Sequence, residues 1–250
     1  VGNDYWNAAF FCGSAAVLRR SVLEQIGGIA IETVTEDCHT SIRMHALGYK
    51  SKYFPTPLII GLSPESLAGF VIQHGRWARG ATQMLRIDFP LFRKGLRPAQ
   101  RLCYFNGMIH FLFGIPRLIF YAAPVWFLLF NISPVKTDFF CYMVMGLCYI
   151  ACSFLTNNCF YKNFRHSFWS DIYEAVLAPV YAVVTTAALF DPKAGKFNVT
   201  PKGTNTNGVY FDRNIAMPNM VIFAILLLTF GVGIWRAVSE SAMRDAIMVN

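Results

Sequence analysis

The apolar residues of this 250-residue chain fall in short runs up to about residue 100 and in long runs after it. In the first part, short apolar stretches such as Ala8 to Cys12 and Tyr53 to Phe54 predict β-strands, with helical stretches between them. Such a mixture indicates soluble α/β material. The long runs predict membrane helices instead. We therefore expect two domains, covering 1–100 and 101–250.

Two helices of the first part have recognisable end signals. Thr35 is a suitable N-cap, and Glu36 and Asp37 then lie in the first turn, where the helix dipole favours negative charge. Gly48 follows the predicted end of this helix. A second helix is predicted to start at Ser63-Pro64-Glu65, where serine caps the helix and proline takes its first position.

Three apolar runs reach the roughly 17 residues that a membrane-spanning helix needs at least: 107–130, 139–156 and 217–235. A fourth run, 167–190, contains two carboxylates and a proline, namely Asp171, Glu174 and Pro179. We expect it to lie along the membrane surface as an interfacial helix. The loops on both sides of it are basic, so both are expected in the cytoplasm, and a single crossing would separate them. Their basic residues are Lys162, Arg165 and His166 before it and Lys193, Lys196 and Lys202 after it.

The composition supports a membrane protein. Hydrophobic residues make up 55% of the chain, aromatic residues 16% and charged residues 14%, with a mean hydropathy of +0.40. The net charge of +8 comes from dispersed basic residues rather than one patch, which argues against nucleic-acid binding and fits cytoplasmic loops and phosphate-bearing substrates. The seven cysteines form no CxxC pair, so we interpret them as reduced and mostly buried thiols.

The first motif with chemical potential is Thr35-Glu36-Asp37, called the TED motif below. A carboxylate in the first turn of a helix is favoured in its ionised form, which keeps it available to accept a proton. For a TED motif taken alone, simple helix capping is the more common role.

The second motif is Gln73-His74-Gly75-Arg76-Trp77. On a helix, Gln73, Arg76 and Trp77 share a face, so an amide, a guanidinium and an indole project together. Arginine binds a diphosphate through forked hydrogen bonds, and tryptophan offers an apolar plate for a sugar ring. The alternative is a surface arginine beside a packing tryptophan.

The third motif is the segment 197–203, within a Gly-, Asn- and Pro-containing loop over 193–208. Thr200 and Lys202 have the chemistry to contact phosphate. Asn198-Val199-Thr200 also matches a glycosylation sequon, which a cytoplasmic loop would leave unused.

In this order the motifs resemble the catalytic subunits of bacterial cellulose synthases, a family of processive inverting glycosyltransferases. The resemblance extends over nearly the whole chain, and its four motifs are Phe10-Phe11-Cys12-Gly13-Ser14, Thr35-Glu36-Asp37, Gln73 to Trp77 and Phe197 to Gly203. Chitin and hyaluronan synthases share the TED and Gln-x-x-Arg-Trp patterns. The first and last motifs are what favours cellulose.

The resemblance implies the C-terminal half of a GT-A-like α/β glycosyltransferase domain, followed by an α-helical transmembrane bundle. The implied reaction transfers glucose from UDP-glucose to the 4-hydroxyl of a growing β-1,4-glucan and couples it to export through the membrane. Asp37 resembles the general base, with Thr35 and Glu36 completing its motif. Trp77 resembles the platform under the acceptor sugar, and Arg76 a ligand of the diphosphate.

Other site residues follow from the same resemblance. Gln73 belongs to the substrate-binding face of its helix, and the acceptor end is expected to be lined by Phe10, Phe11, Cys12 and Gly13. The gating loop, within 193–208, is expected to close over the nucleotide through Phe197, Val199, Thr200 and Lys202.

One departure from the family pattern concerns the donor site. The family binds UDP and magnesium through upstream aspartates that include a DxD pattern, and no DxD occurs in these 250 residues. We therefore expect a fragment of a larger chain that is inactive alone, with the magnesium ligands upstream and no metal ligand among the motif residues. The family's cyclic-di-GMP-binding domain, which activates the full enzyme, is also expected outside it.

The resemblance further implies a multi-pass protein of the bacterial inner membrane with a cytoplasmic glycosyltransferase portion, contacting the bilayer, the glucan and a periplasmic partner subunit. Two alternatives remain at this point: another processive β-glycan synthase of chitin or hyaluronan type, and a non-enzymatic polytopic channel. Within the first span, Arg117 follows Pro116 and is expected to face a polar path.

Overall fold

A computed structural model describes residues 2–13, 15–56, 58–132, 137–161, 166–193 and 211–239. The α-helices in these ranges are α1 Gly2–Tyr5, α2 Arg20–Gln25, α3 Glu36–Ala46, α4 Leu67–Ile87, α5 Pro98–Ile109, α6 Gly114–Phe130, α7 Phe139–Tyr161, α8 Ser167–Phe190 and α9 Arg213–Ser239. Two 3-10 turns, Pro90–Phe92 and His110–Phe113, precede α5 and α6. The described residues fall into two units: a first unit within Val1–Phe113 and Val180–Asp212, and a second within Gly114–Pro179 and Arg213–Asn250.

The predicted strands are absent from the described part of the chain, where Ala8 to Cys12 and Tyr53 to Phe54 have no regular structure. Both strand predictions are wrong, and the GT-A-like α/β class is not confirmed. Hydrogen bonds that involve side chains hold these segments, in place of the backbone hydrogen bonds of a β-sheet. The Ser51 hydroxyl donates to the Ala9 carbonyl at 2.6 Å, and Asp4 accepts from the Tyr53 amide at 2.8 Å.

Helix α3 has the boundaries that its end signals predict. Thr35 is the N-cap residue, Glu36 and Asp37 occupy the first turn, and the helix ends at Ala46. Gly48 then adopts a φ of +85°, a left-handed conformation that glycine tolerates best. The Thr35 side chain makes no capping hydrogen bond, so the N-cap is formed by its backbone alone.

Helix α4 begins later than predicted. Ser66 is its N-cap, and the Ser66 hydroxyl accepts a hydrogen bond from the Gly69 amide at 3.1 Å. The predicted start at Ser63-Pro64-Glu65 is therefore wrong: serine caps the helix as expected, but the serine that does so lies three residues further on. The helix continues ten residues beyond Trp77, to Ile87.

The core of the first unit joins α3, α4 and α5. Its buried residues are Ala8, Ile42, Ala81, Met84, Leu96, Tyr104 and Met108. Beside this core, Asn7 links three segments: its Oδ1 accepts from the Ser51 amide at 2.9 Å, and its carbonyl accepts from Gln100 at 2.7 Å. The segment 7–13 is thus fixed between α5 and the chain that follows α3.

The second unit is held by contacts between long apolar helices. Leu128 of α6 meets α9, because its side chain lies next to Gly233 and its carbonyl accepts from Arg236 at 2.8 Å. Asn219 of α9 donates to the Val176 carbonyl of α8 at 3.1 Å. Side-chain amide and guanidinium groups thus satisfy carbonyls of neighbouring helices.

Arg117 has carboxylate partners in this unit. Its Nη2 lies 3.0 Å from Glu174 Oε2 and 3.7 Å from Asp171 Oδ1, both on α8. The sequence assigned Arg117 to a polar path, and the structure shows an ion-pair cluster between α6 and α8. Asp171 and Glu174, the two carboxylates that distinguish the 167–190 run, are thus ion-pair partners of Arg117.

Within the described residues, four stretches of helix are long and apolar enough to cross a membrane: Pro98–Phe130, Phe140–Phe160, Ser167–Phe190 and Arg213–Arg236. They include the three predicted spans. Ser167–Phe190 also meets this criterion of length and composition, so its placement along the membrane surface stays a prediction.

The cysteines are free, as predicted, but they are not buried. Cys38 and Cys103 are half-buried, and the other five are exposed. Cys141, Cys148, Cys152 and Cys159 lie on α7, whose described side chains are all exposed or half-buried within this chain. The prediction of mostly buried thiols is therefore wrong.

Candidate active site

The TED motif and the segment ending at Gly13 meet in the first unit. Gly13 has a φ of +61°, and a Cβ placed on it would lie 3.6 Å from Asp37 Oδ2. The other carboxylate oxygen, Oδ1, accepts from the Cys38 amide at 2.7 Å. One oxygen of Asp37 is thus tied to the start of its own helix, while the other faces the backbone expected to receive the acceptor.

The surroundings of Asp37 make it a stronger base than an ordinary aspartate. Burial raises its pKa, the hydrogen bond from the Cys38 amide opposes this, and the neighbouring charge of Glu36 raises it further. The Cys12 thiol is affected too: although the residue as a whole is exposed, partial desolvation of the thiol and the Asp37 charge both raise its pKa. Cys12 is therefore held as a neutral thiol beside the carboxylate, with no added negative charge.

Helix α4, which carries the Gln-x-x-Arg-Trp residues, packs directly against the TED motif. At Gly80 an added Cβ would lie 2.6 Å from Thr35 Oγ1 and 2.8 Å from the Thr35 amide nitrogen. One turn later, Gln83 Oε1 accepts from the Val34 amide at 2.9 Å. Gly80 thus permits the close approach, and the side-chain amide of Gln83 binds the Val34 backbone. Together they hold α4 against residues 34–35.

Behind the motif, His39 connects α3 to the end of α4. His39 is fully buried, its Nδ1 lies 3.2 Å from Thr33 Oγ1, and its Nε2 lies 3.5 Å from Asp88 Oδ2. Burial of Asp88 works against its charge, yet the nearby His39 imidazole and the hydrogen bond from Arg93 lower its pKa to about 2. Asp88 is therefore an anion at any physiological pH, and its carboxylate lies beside the His39 imidazole behind the start of α3.

The Gln-x-x-Arg-Trp residues are accessible on α4. Gln73 and Arg76 are half-buried, and Trp77 is 40% exposed. Trp77 is supported by His74, whose ring centroid lies 4.7 Å away. A partly exposed indole that packs against a neighbouring ring suits stacking against a sugar ring.

His74 is itself fixed on two sides. Its ring packs on Phe70 with centroids 4.1 Å apart, and its Nδ1 lies 3.1 Å from the Tyr181 hydroxyl of α8. Burial lowers the His74 pKa, so the ring is neutral at physiological pH. The support under Trp77 is therefore an uncharged aromatic surface anchored to α8.

The other predicted site residues divide into two groups. Phe10 stacks on Tyr104 of α5 with centroids 6.5 Å apart, Phe11 is half-buried, and Cys12 is exposed. The predicted gating-loop residues Phe197, Val199, Thr200 and Lys202 lie outside the described residues.

Sequence reasoning missed Gly80, Gln83, His39 and His74 as parts of this site. Spacing offered a weak signal for some of them, since His74 lies one turn from Trp77 and Gly80 one turn beyond it. Their partners, however, lie far away in the sequence.

The described residues do not build a magnesium site. Within them, no three His, Cys, Asp or Glu side chains come together as a metal-binding group. Asp37 has only Glu36 as a neighbouring carboxylate in the sequence, and Glu36 is exposed. These residues do not fit the cation that the family resemblance implies, so no catalytic step is assigned to it.

Comparison with known proteins gives one family model and several curated relatives. The model described as glycosyl transferase family group 2 matches residues 2–156. A cellulose synthase catalytic subunit (UDP-forming) of Pseudomonas fluorescens strain SBW25 is 45% identical over 250 residues, covering 100% of this chain and 34% of the relative. The corresponding subunit of Xanthomonas axonopodis pv. citri strain 306 is 44% identical over 237 residues, covering 95% of this chain and 32% of the relative.

A cellulose synthase 1 catalytic subunit of Komagataeibacter xylinus is 44% identical over 226 residues, covering 90% of this chain and 30% of the relative. The chain thus spans about a third of the length of these three relatives. The Pseudomonas fluorescens relative is matched over the whole of this chain, so all of the site geometry described above lies within the region that it shares.

Proposed function

The chain belongs to the glycosyl transferase family group 2, and from this premise we propose that it forms the acceptor side of a cellulose synthase active site. The proposed reaction transfers glucose from UDP-glucose to the 4-hydroxyl of a β-1,4-glucan. The observation that carries the proposal is Asp37, a carboxylate with a raised pKa that faces the backbone at Gly13. The names of the relatives supply the donor and the polymer.

In the proposed mechanism, Asp37 acts as general base. Asp37 Oδ2 takes the proton of the glucan 4-hydroxyl as that oxygen bonds to the anomeric carbon of the donor. The bond from the anomeric carbon to the diphosphate breaks in the same step, and UDP leaves with the electron pair. The burial that raises the pKa of Asp37 makes the proton transfer more favourable than it would be to an ordinary aspartate.

We assign binding roles to α4. Trp77 carries the acceptor sugar on its exposed face, supported by His74, and Arg76 contributes positive charge toward the diphosphate. Gln73 lies on the same helical face. The loop 193–208 remains a proposed cover for the nucleotide, on the basis of its sequence alone.

The membrane setting is part of the proposal. Four helices of suitable length and composition support a multi-pass membrane protein. The proposed location is the bacterial inner membrane with the first unit on the cytoplasmic side, where UDP-glucose is made. Magnesium bound upstream, activation by cyclic-di-GMP and a periplasmic partner subunit are proposals from the family resemblance.

The test is Asp37→Asn in the full-length protein, assayed in membrane vesicles with radiolabelled UDP-glucose. We expect polymer formation to fall by about 10²- to 10⁴-fold, because the amide cannot accept the proton, while UDP binding stays within a few fold. Glu24→Gln is the matched control, since Glu24 pairs only with exposed Arg20 on the surface. Its activity should equal that of the parent.

Two results would contradict the proposal. Asp37→Asn with activity within a few fold of the parent would remove Asp37 as the base. Incorporation from UDP-N-acetylglucosamine in place of UDP-glucose would keep the base and change the polymer.

A further inference from the structure

Gln83 is the buried side chain of α4 that makes hydrogen bonds to two distant backbone segments. It is 6% exposed and lies one turn from the C-terminal end of the helix. Its Oε1 accepts from the Val34 amide at 2.9 Å, and its Nε2 donates to the Pro192 carbonyl at 2.6 Å. The planar amide thereby fixes the distance between these two segments.

Both backbone partners of Gln83 lie close to the end of a helix. Val34 directly precedes the N-cap residue Thr35 and is three residues from Asp37. Pro192 is two residues past Phe190, the end of α8. Gln83 therefore connects the backbone that leads into the TED motif with the chain that leaves α8.

Other contacts of α4 support the same alignment. Gly80 packs against Thr35 one turn before Gln83, so residues 34–35 are held by both a close contact and a hydrogen bond. Towards the other end of α4, a Cβ on Gly75 would lie 3.4 Å from Val180, and His74 contacts the Tyr181 hydroxyl. Helix α4 is therefore joined to the C-terminal half of α8 near Gly75 and to the chain just past α8 at Gln83.

The neighbouring residue shows what a purely local polar side chain does in this helix. Thr82 is fully buried, and its hydroxyl donates at 2.8 Å to the Ala78 carbonyl of the same helix. That bond satisfies Thr82 without reaching beyond α4. Gln83, at the next position, uses both its carbonyl oxygen and its amide nitrogen in hydrogen bonds to other segments.

We propose that Gln83 is a positioning residue that sets the placement of Asp37 by tying the TED motif to the end of α8. It does not touch the reacting atoms. Its effect is exerted through Val34 and Thr35 on the helix start that carries the base. This inference rests on the proposed role of Asp37 as general base, and its test therefore includes a measurement that needs no activity.

The main test is Gln83→Met in the full-length protein, because methionine has a similar size and can make neither hydrogen bond. We expect kcat for glucan synthesis to fall by about 10- to 100-fold, the loss that a small misplacement of a catalytic group produces, with KM for UDP-glucose changed less than about threefold. Hydrogen exchange of the Val34 amide should become faster, since its acceptor is gone.

Thr82→Val is the matched control. It removes a buried hydroxyl of similar burial without changing either segment that Gln83 binds. We expect kcat and Val34 exchange to stay at the parent values. If Gln83→Met and Thr82→Val lose activity equally, or if kcat of Gln83→Met stays within twofold of the parent, the positioning role is wrong.

Gln83→Glu keeps the inference testable if the methionine variant fails to accumulate. An ionised glutamate can accept from Val34 but repels the Pro192 carbonyl, whereas a protonated one can satisfy both segments. Because burial raises the pKa of a carboxyl group, the activity of this variant relative to the parent should rise as the pH is lowered. A ratio that does not change with pH overturns the two-ended connection.

The two proposals fail differently. If the parent incorporates no glucose from UDP-glucose, the proposed function is wrong, while faster Val34 exchange in Gln83→Met still supports the connection. If the parent is active and Val34 exchange is unchanged in that variant, the connection is wrong and the proposed function stands.

Discussion

The two units of this chain hold their segments together by different means. In the first unit, buried polar side chains connect segments that are far apart in sequence: Gln83 joins Val34 to Pro192, and Gln100 reaches the Asn7 carbonyl. In the second unit, the buried Thr229 bonds only within its own helix, to the Ile225 carbonyl. The links between helices there come from half-exposed groups such as Arg117.

This difference follows from what each unit has to do. Hydrogen bonds are directional, so a buried bond to a chosen carbonyl or amide fixes a segment within a fraction of an ångström, which an acid–base site requires. Long apolar helices pack through side chains that adapt to their neighbours, and many of their residues remain exposed within the chain. We therefore expect substitutions at the contacts that hold the TED motif in the first unit to affect catalysis, and those at the links between helices in the second unit to affect stability.

Among the substitutions that compare the two units, the largest effect is expected for Gly80→Ala in the first unit. Alanine normally favours a helix interior by about 1 kcal/mol over glycine. Here the added Cβ would lie 2.8 Å from the Thr35 amide nitrogen, a backbone atom that moves only if the TED motif moves. Overpacking of this kind costs about 1–3 kcal/mol, so the clash equals or exceeds the gain, and the displacement of the TED motif should lower glucan synthesis by at least tenfold.

The control for Gly80→Ala is Gly107→Ala on α5, where an added Cβ would have no neighbour within 4 Å among the described atoms. Its activity should match the parent, and its thermal midpoint should be equal or higher. Full activity in Gly80→Ala would show that the contact between α4 and Thr35 does not set the catalytic geometry.

An intermediate effect is expected for Arg117→Met in the second unit. The side chains of Arg117 and Glu174 are 26% and 21% exposed. Removing the guanidinium therefore leaves the largely desolvated Glu174 carboxylate without the positive charge of Arg117. We expect a loss of about 1.5–3 kcal/mol in stability, seen as a lower thermal midpoint in detergent, with kcat of the surviving enzyme little changed.

The double variant Arg117→Met with Glu174→Gln sharpens that prediction. Removing both charges should restore part of the midpoint, because the largely desolvated Glu174 charge is gone and the remaining partner, Asp171, is exposed to solvent. A double variant less stable than either single variant would show that the ion pair is not what holds α6 to α8.

Sequence reasoning succeeded where the signal was local. The start and end of α3 were predicted because Thr35, the acidic first turn and Gly48 act on their own helix. The cap of α4 was misplaced because Ser63 and Ser66 have the same chemistry, and packing decides between them. The two predicted strands were wrong because a strand needs a distant partner that a single sequence does not reveal.

The candidate site shows the same division. The TED motif and the Trp77 face were recognisable as short patterns, and in the structure Gly13 lies next to Asp37. Gln83 was missed because its two partners lie 49 and 109 positions away. The residues proposed to position the base are therefore found from tertiary contacts, while the proposed base itself is found from its motif.

The smallest effect at neutral pH is expected for His45→Gln in the first unit, and it should grow in acid. His45 is 2% exposed, its Nδ1 lies 2.7 Å from the Tyr104 hydroxyl, and its Nε2 lies 3.0 Å from Ser51 Oγ. Since the Ser51 hydroxyl donates to Ala9, Nε2 carries the proton and Nδ1 accepts from Tyr104. Burial, with a smaller contribution from the charge of Arg97, lowers the His45 pKa from 6.5 to about 4.

The pH dependence follows from that shift, because the unfolded chain takes up the proton before the folded one does. The contribution of His45 to stability is complete above about pH 6.5 and is lost as the pH falls from there to about 4. Glutamine does not titrate, so the thermal midpoint of His45→Gln should decline less steeply than that of the parent over this range. At neutral pH the variant should be only slightly less stable, because it keeps a donor and an acceptor in the same place. Parallel midpoint curves for the parent and the variant would show that His45 does not contribute to the acid sensitivity of the first unit.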